Sequence, residues 1–242
     1  MKRTPQSAKV FVGLVAACAL ALLGTGMMRW ESIDLIRFAA FVIVSMAASR
    51  MKISLPGLNG NMSVNLPFML LAALELSLPE ALIVALASTA VQCLPKNGKS
   101  MSAIQITFNI SLIVNAIGLA HLVVERSTMF GSVPAKSVVL AAAALAFFVA
   151  DTVPVAIILG LAERVNVLTT WKEIGLLTFP FFVMSAGLTS MAATAAHFVG
   201  WYVPLAIFPV MVVTYASYQR YFSQTARAEA NVMPFASSAA AD

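Results

Sequence analysis

An all-α, polytopic transmembrane helical bundle of about eight membrane segments is the fold this sequence predicts. Three observations predict it. Hydrophobic residues fill 60% of the 242 positions and charged ones only 10%, against about 25% charged in an ordinary soluble domain. Mean hydropathy is +0.90, more apolar surface than one soluble core of this size can hide, so lipid must act as solvent for much of it. The apolar residues fall into eight runs, and the basic residues collect between runs in a one-sided pattern.

In chain order, Lys2, Arg3 and Lys9 precede the run Val10–Met28, and small residues follow at Gly24–Gly26. This imitates a secretory signal, but seven further apolar runs make an uncleaved first span the better reading. Ile33–Ala48 is the second run, with Asp34 and Arg37 three apart on one helix face and expected to pair locally. The third and fourth, Val64–Leu76 and Leu78–Leu94, are short for a span of about 20 residues. Their joint carries Glu75, Pro79 and Glu80. Merging them would place two carboxylates and a proline at mid-membrane, and each central charge costs about 2.5–3.5 kcal/mol on insertion scales. A turn there brings the carboxylates to the surface and puts Pro79 in a first helical turn, where a missing N–H costs little. The third segment is then either a short or re-entrant helix or one that begins earlier, within Gly57–Asn61. Ile104–Val124, Val138–Leu161, Ile174–Phe198 and Val203–Tyr218 complete the set.

Cationic loops favour the cytoplasmic side. With eight spans, eleven of the fifteen basic residues share the side of both chain ends: Lys2, Arg3, Lys9, Arg50, Lys52, Lys96, Lys99, Arg164, Lys172, Arg220 and Arg227. Arg29, Arg37, Arg126 and Lys136 lie opposite. Seven spans would reduce the split to nine against six. The expectation is therefore a bacterial cytoplasmic-membrane protein with N- and C-termini cytoplasmic. Residues 1–221 form one integral-membrane domain and 222–242 a short disordered tail. Trp30, Trp201 and Tyr202 read as outer aromatic anchors, and Tyr215, Tyr218 and Tyr221 as inner ones.

Several function classes are excluded as poor fits. The net charge of +5 follows membrane topology rather than a basic stripe, so no nucleic-acid partner is expected. Cys18 and Cys93 have neither disulfide-framework nor metal-ligand spacing and read as packing residues. Leu55–Asn61 lacks the pattern and the lysine of a phosphate loop. With no nucleophile–base constellation, the chain is read as a non-enzyme without cofactor or metal. Ala17 with Ala21, and Gly187 with Met191, have the four-residue spacing that permits close helix contact.

Polar groups inside apolar runs are where function is sought, because hydrocarbon penalises them. Asp151 lies near the middle of Val138–Leu161, beside Thr152 and three residues before Pro154. The proline cannot donate a backbone bond and crowds the carbonyl of Ala150, so a carboxylate meets exposed backbone there. That is either a proton or cation site, or a protonated side chain bonding a neighbouring helix. Gln105 and Asn109 are four apart on one helix face, Asn115 is displaced around it, and Asn65 adds a further amide. These four line a ligand cavity or hold helices together, the second being the commoner use. His121 and His197, near outer helix ends, have no acidic or cysteine ligand at helical spacing and read as interfacial packing.

The run Met51-Lys-Ile-Ser-Leu-Pro-Gly-Leu-Asn-Gly-Asn-Met-Ser-Val-Asn-Leu-Pro-Phe68, with Leu74-Glu-Leu-Ser-Leu-Pro-Glu-Ala81, Gln105-Ile-Thr-Phe-Asn-Ile110 and Tyr215-Ala-Ser-Tyr-Gln-Arg-Tyr221, resembles the N-terminal integral-membrane sensor region of bacterial HD-GYP and GGDEF signalling proteins. The likeness covers most of residues 30–221. It implies a sensory module that binds a small or lipidic ligand and signals to an output partner, since those proteins continue into a cytoplasmic output domain where this sequence ends in Ala-Ser-Ser-Ala-Ala-Ala-Asp242. A weaker likeness is to the S-components of energy-coupling-factor transporters, which are apolar, ATPase-free bundles. It implies the alternative of a substrate-binding transporter subunit.

Overall fold

The structure, a computed structural model, describes residues 5–28, 30, 34–54, 61–95, 101–127, 136–202, 206–217 and 219–220. Its helices are α1 (Gln6–Met27), α2 (Leu35–Ser49), α3 (Leu66–Glu75), α4 (Leu78–Cys93), α5 (Ala103–Ser127), α6 (Lys136–Glu163), α7 (Val167–Val199) and α8 (Ala206–Ser217). α1, α5, α6 and α7 are each long and apolar enough to cross a bilayer, so the chain is a multi-pass helical membrane protein. Its outer surface agrees with that solvent. Leu176 is 79% exposed and Phe198 86% exposed, which water would penalise and lipid does not.

α5 lies at the middle of the bundle, packed on α1, α4 and α6. Asn115 Nδ2 donates to the Val15 carbonyl at 2.9 Å and so ties α5 to α1. At Gly118 the Leu22 side chain of α1 fills the place where a Cβ would stand. Gly26 has the same role against Leu82 of α4. The small residues Ala17, Ala21 and Gly187 are not at such contacts. Ala17 and Ala21 are exposed, and a Cβ on Gly187 would meet nothing within 4 Å. Spacing alone does not distinguish a small residue that seats a neighbour from one facing lipid. Cys18, expected as a packing residue, is exposed as well, while Cys93 is buried; neither is in a disulfide.

α3 is the unusual element. Every residue from Leu66 to Ala73 is buried, with α4, α5 and α7 as its main neighbours and α2 and α6 adding further contacts. Its 10 residues cover about 15 Å, half the hydrocarbon core. It starts later than the Gly57–Asn61 alternative required. Ahead of it, β1 (Lys52–Ser54) and β2 (Asn61–Ser63) pair antiparallel, Ile53 opposite Met62. This small ribbon departs from a purely helical chain; the glycines read as a turn lie between its strands, and residues 55–60 are outside the described residues.

The α3–α4 break falls at Leu76–Ser77. Glu80 caps α4, its Oε2 accepting from Ser77 N at 3.1 Å and Ser77 Oγ at 2.8 Å, with Pro79 in the first turn as expected. Glu75 has a different partner. Arg37 Nη2 donates to Glu75 Oε2 at 2.7 Å and to the Glu75 carbonyl at 2.8 Å, which fastens the start of α2 to the joint. The expected Asp34–Arg37 side-chain pair is therefore not formed. Asp34 caps α2, accepting from the backbone N–H of Ile36 and Arg37 at 3.1 and 3.0 Å. Three-residue spacing suits a cap as well as an ion pair, and a cap fixes fewer rotamers.

At the ends, Trp30 stacks edge-on against Phe38, and Trp201 against Tyr202. Tyr215 packs on the core and accepts a hydrogen bond from Gln219 at 2.7 Å. Tyr218, Tyr221, Arg29, Lys96, Lys99 and the tail after 221 lie outside the described residues.

Candidate functional site

α6 and α7 enclose a groove of about 460 Å³ that is open along one side. Its α6 wall is Ser137, Leu140, Ala141, Ala144, Leu145 and Phe148; its α7 wall is Phe179, Phe182, Val183, Ala186, Gly187 and Ser190. Both sets follow the three- and four-residue spacing of one helix face. Ala141 and Ala144 on one wall and Ala186 and Gly187 on the other leave side-chain volume missing from the middle, and that opens the groove. The two serines lie at one end. At the other, Phe148 stands edge-on to Phe179 (5.6 Å between ring centres) and Phe182 (5.0 Å), closing the groove with an aromatic floor.

Each wall has a proline at or just beyond that floor. Pro154 lies inside α6 and Pro180 inside α7, and each withholds a backbone donor from the carbonyl one turn earlier. The two helices are also tied together there. Thr152 Oγ1 donates to the Phe148 carbonyl at 2.7 Å and accepts from Trp171 Nε1 at 3.1 Å. Phe148 thus belongs to the floor through its ring and to the tie between helices through its carbonyl.

Asp151 lies three residues past Phe148 on the inner side of α6, half-buried. Among the described residues it has no hydrogen-bond or ion-pair partner. One and two turns further, Val155 and Ile158 pack against Val12, Val15, Phe108 and Leu112 of α1 and α5. Asp151 therefore continues the face that those apolar residues form. The reading in which it bonds a neighbouring helix has no such bond among the described residues.

The four amides do not converge. Gln105 Oε1 accepts from Ser102 N and Oγ at 2.9 and 3.1 Å and caps α5. Asn109 contacts Met101 Sδ at 3.7 Å. Asn115 is used between helices, as above. Asn65 stands alone in being 3% exposed, with a side-chain Oδ1 that has no partner among the described residues. Its backbone carbonyl begins α3, accepting from Phe68 and Met69 N. Nearby on α7, Thr189 Oγ1 donates to the Pro67 carbonyl at 3.2 Å, and Ser185 Oγ is fully buried without a partner among the described residues. His121 Nδ1 lies 2.9 Å from the Ala73 carbonyl, at the far end of α3. The side chain of His197 lies outside the described residues. Among the described residues no three His, Cys, Asp or Glu side chains group as a metal site.

Sequence reasoning missed the groove and Trp171. The available signal was Phe147-Phe148 set against Phe179, Phe181 and Phe182 on the next helix, with alanines one and two turns away. Compared with known proteins, the chain matches no family model, no characterised sequence and no solved structure.

Proposed function

We propose that this chain is a sensory input module of the bacterial cytoplasmic membrane that binds a lipidic ligand between α6 and α7. The change passes on to an output partner. The groove is the observation that carries this reading: it is apolar, it lies between two membrane-capable helices, and it opens sideways. The Phe148–Thr152–Trp171 tie supports it, because a ligand pressing on the floor shifts a ring whose own carbonyl belongs to the joint between helices. The resemblance to membrane sensor regions supports it too. In this reading all eight helices are membrane segments, with both ends of the sequence cytoplasmic as the distribution of basic residues favours.

The test is a photoreactive diazirine fatty acid added to membranes that contain the full chain. Crosslinks are expected to concentrate on residues 137–148 and 179–190, and to fall when Gly187→Leu fills the groove. Labelling spread evenly over every lipid-facing helix sinks the proposal. Co-expression with a cyclic-dinucleotide output domain then reads whether added lipid changes its activity.

A second reading, a transporter or substrate-binding transporter subunit, is favoured by Asp151 beside Pro154, a carboxylate without a partner among the described residues. Under it, Asp151→Asn abolishes solute uptake while the protein remains folded. Unchanged uptake removes Asp151 from any transport mechanism.

A further inference from the structure

We infer that the groove takes a single extended hydrocarbon chain with its polar head at Ser137 and Ser190, and that the Phe148–Phe179–Phe182 floor sets the longest chain it accepts. This rests on the ligand-binding reading above and names the ligand's shape and the residues that select it.

Three features point to a chain rather than a ring system or a protein helix. Polar lining is confined to one end, the two serines, and everything beyond is hydrocarbon or aromatic. An amphiphile has that same division. From Ser137 to Phe148 the α6 wall rises by about 16 Å, close to the depth of one leaflet in a hydrocarbon core of about 30 Å. A lipid tail therefore fits with its head at the membrane surface and its tip against the floor. A helix from a second copy needs a surface that continues across the whole core, and the floor closes this one half-way.

The floor is built to stop a chain. Phe148 and Phe182 are 8% and 6% exposed and held edge-on to each other, so neither swings aside without loss of packing. Phe179 is 49% exposed and completes the barrier from the open side. Gly187 sits in the wall above it, with empty space where a side chain would be. Substitution at Gly187 therefore narrows the groove without disturbing the packing behind it, and truncation at Phe179 lengthens the groove at little cost to the core.

The experiment uses the full chain, stripped of lipid and held in amphipol, titrated with monomeric saturated lysophosphatidylglycerols of increasing chain length. For the wild type, affinity is expected to tighten about fourfold per added methylene up to a limit, then to stay level or fall. Phe179→Ala opens about one helical turn, 5.4 Å, and should move that limit to longer chains, with Phe179→Leu in between. Gly187→Leu should weaken binding more than about tenfold at every length, since several methylenes lose their place. If Gly187→Leu leaves binding unchanged, the groove is not the site and the reading beneath this one fails. If Gly187→Leu weakens binding but the limit stays put in Phe179→Ala and Phe179→Leu, the chain gauge alone is overturned. A Gly187→Leu protein that changes oligomeric state instead shows a second copy in the groove, and also overturns the proposal.

Discussion

Arg37→Ala is expected to be among the most damaging single changes at the ends of the helices. Arg37 makes two bonds through one nitrogen, to the Glu75 carboxylate and to the Glu75 carbonyl, and the two side chains are only 26% and 27% exposed. Hydrogen bonds to charged groups contribute about 1.5–3 kcal/mol, whereas a fully exposed ion pair contributes under about 1 kcal/mol. Partial solvent screening places this contact near the lower part of the first range. Arg37→Ala removes both bonds and leaves a half-buried carboxylate alone, so a loss of about 2–3 kcal/mol is expected. Glu75→Ala leaves the carbonyl bond in place and should cost about 1 kcal/mol less. Asp34→Ala removes only a helix cap, about 0.5–2 kcal/mol, and its effect should add to that of Arg37→Ala without coupling. The assay is a double-mutant cycle on reversible unfolding in bicelles. The reasoning is refuted if Arg37 couples to Asp34 more strongly than to Glu75, or if the Arg37–Glu75 coupling lies below about 0.5 kcal/mol.

Three other outcomes are expected. Gly118→Ala forces a Cβ into Leu22 and should lower stability by about 1–3 kcal/mol, whereas Gly13→Ala, with open space around it, should be close to neutral; thermal unfolding in detergent compares them. Asn115→Ala should lose about 1 kcal/mol through the missing bond to Val15, and cysteine crosslinking between α1 and α5 should show looser packing. Ser185→Ala removes a buried hydroxyl without a partner among the described residues, so the midpoint of unfolding should hold or rise; a clear fall would reveal a bound water or ligand there.

The helical bundle was legible because its signals are local. Runs of apolar residues, and a joint marked by Glu75, Pro79 and Glu80, can be recognised within a few positions of the chain. The Arg37–Glu75 bond was not, since the sequence offers Asp34 three residues away and gives no sign that the α3–α4 joint folds back beside α2. The same limit applies to the amides: Gln105 and Asn109 share one face of α5, which allowed a common cavity, yet both turn to the residues just ahead of the helix, Ser102 and Met101, and only Asn115 bonds another helix. Asp151 was legible as an intramembrane carboxylate, because a charge-bearing residue stands out within an apolar run. The groove one turn away was hidden, because alanines and a glycine look alike whether they seat a helix or leave a gap.

The half-length α3 also has a consequence for how the protein is made. Its buried position depends on α7, and the contact between Pro67 and Thr189 joins residues 122 apart. At about 5–20 residues per second, α7 follows α3 out of the ribosome by about 6–24 s. Through that interval a ten-residue apolar helix, too short to cross the bilayer unaided, waits beside α2 and α4 with its α7 face uncovered. The Arg37–Glu75 and Ser77–Glu80 bonds lie entirely within the segment already synthesised, and they hold the waiting hairpin in place until the rest of its enclosure arrives.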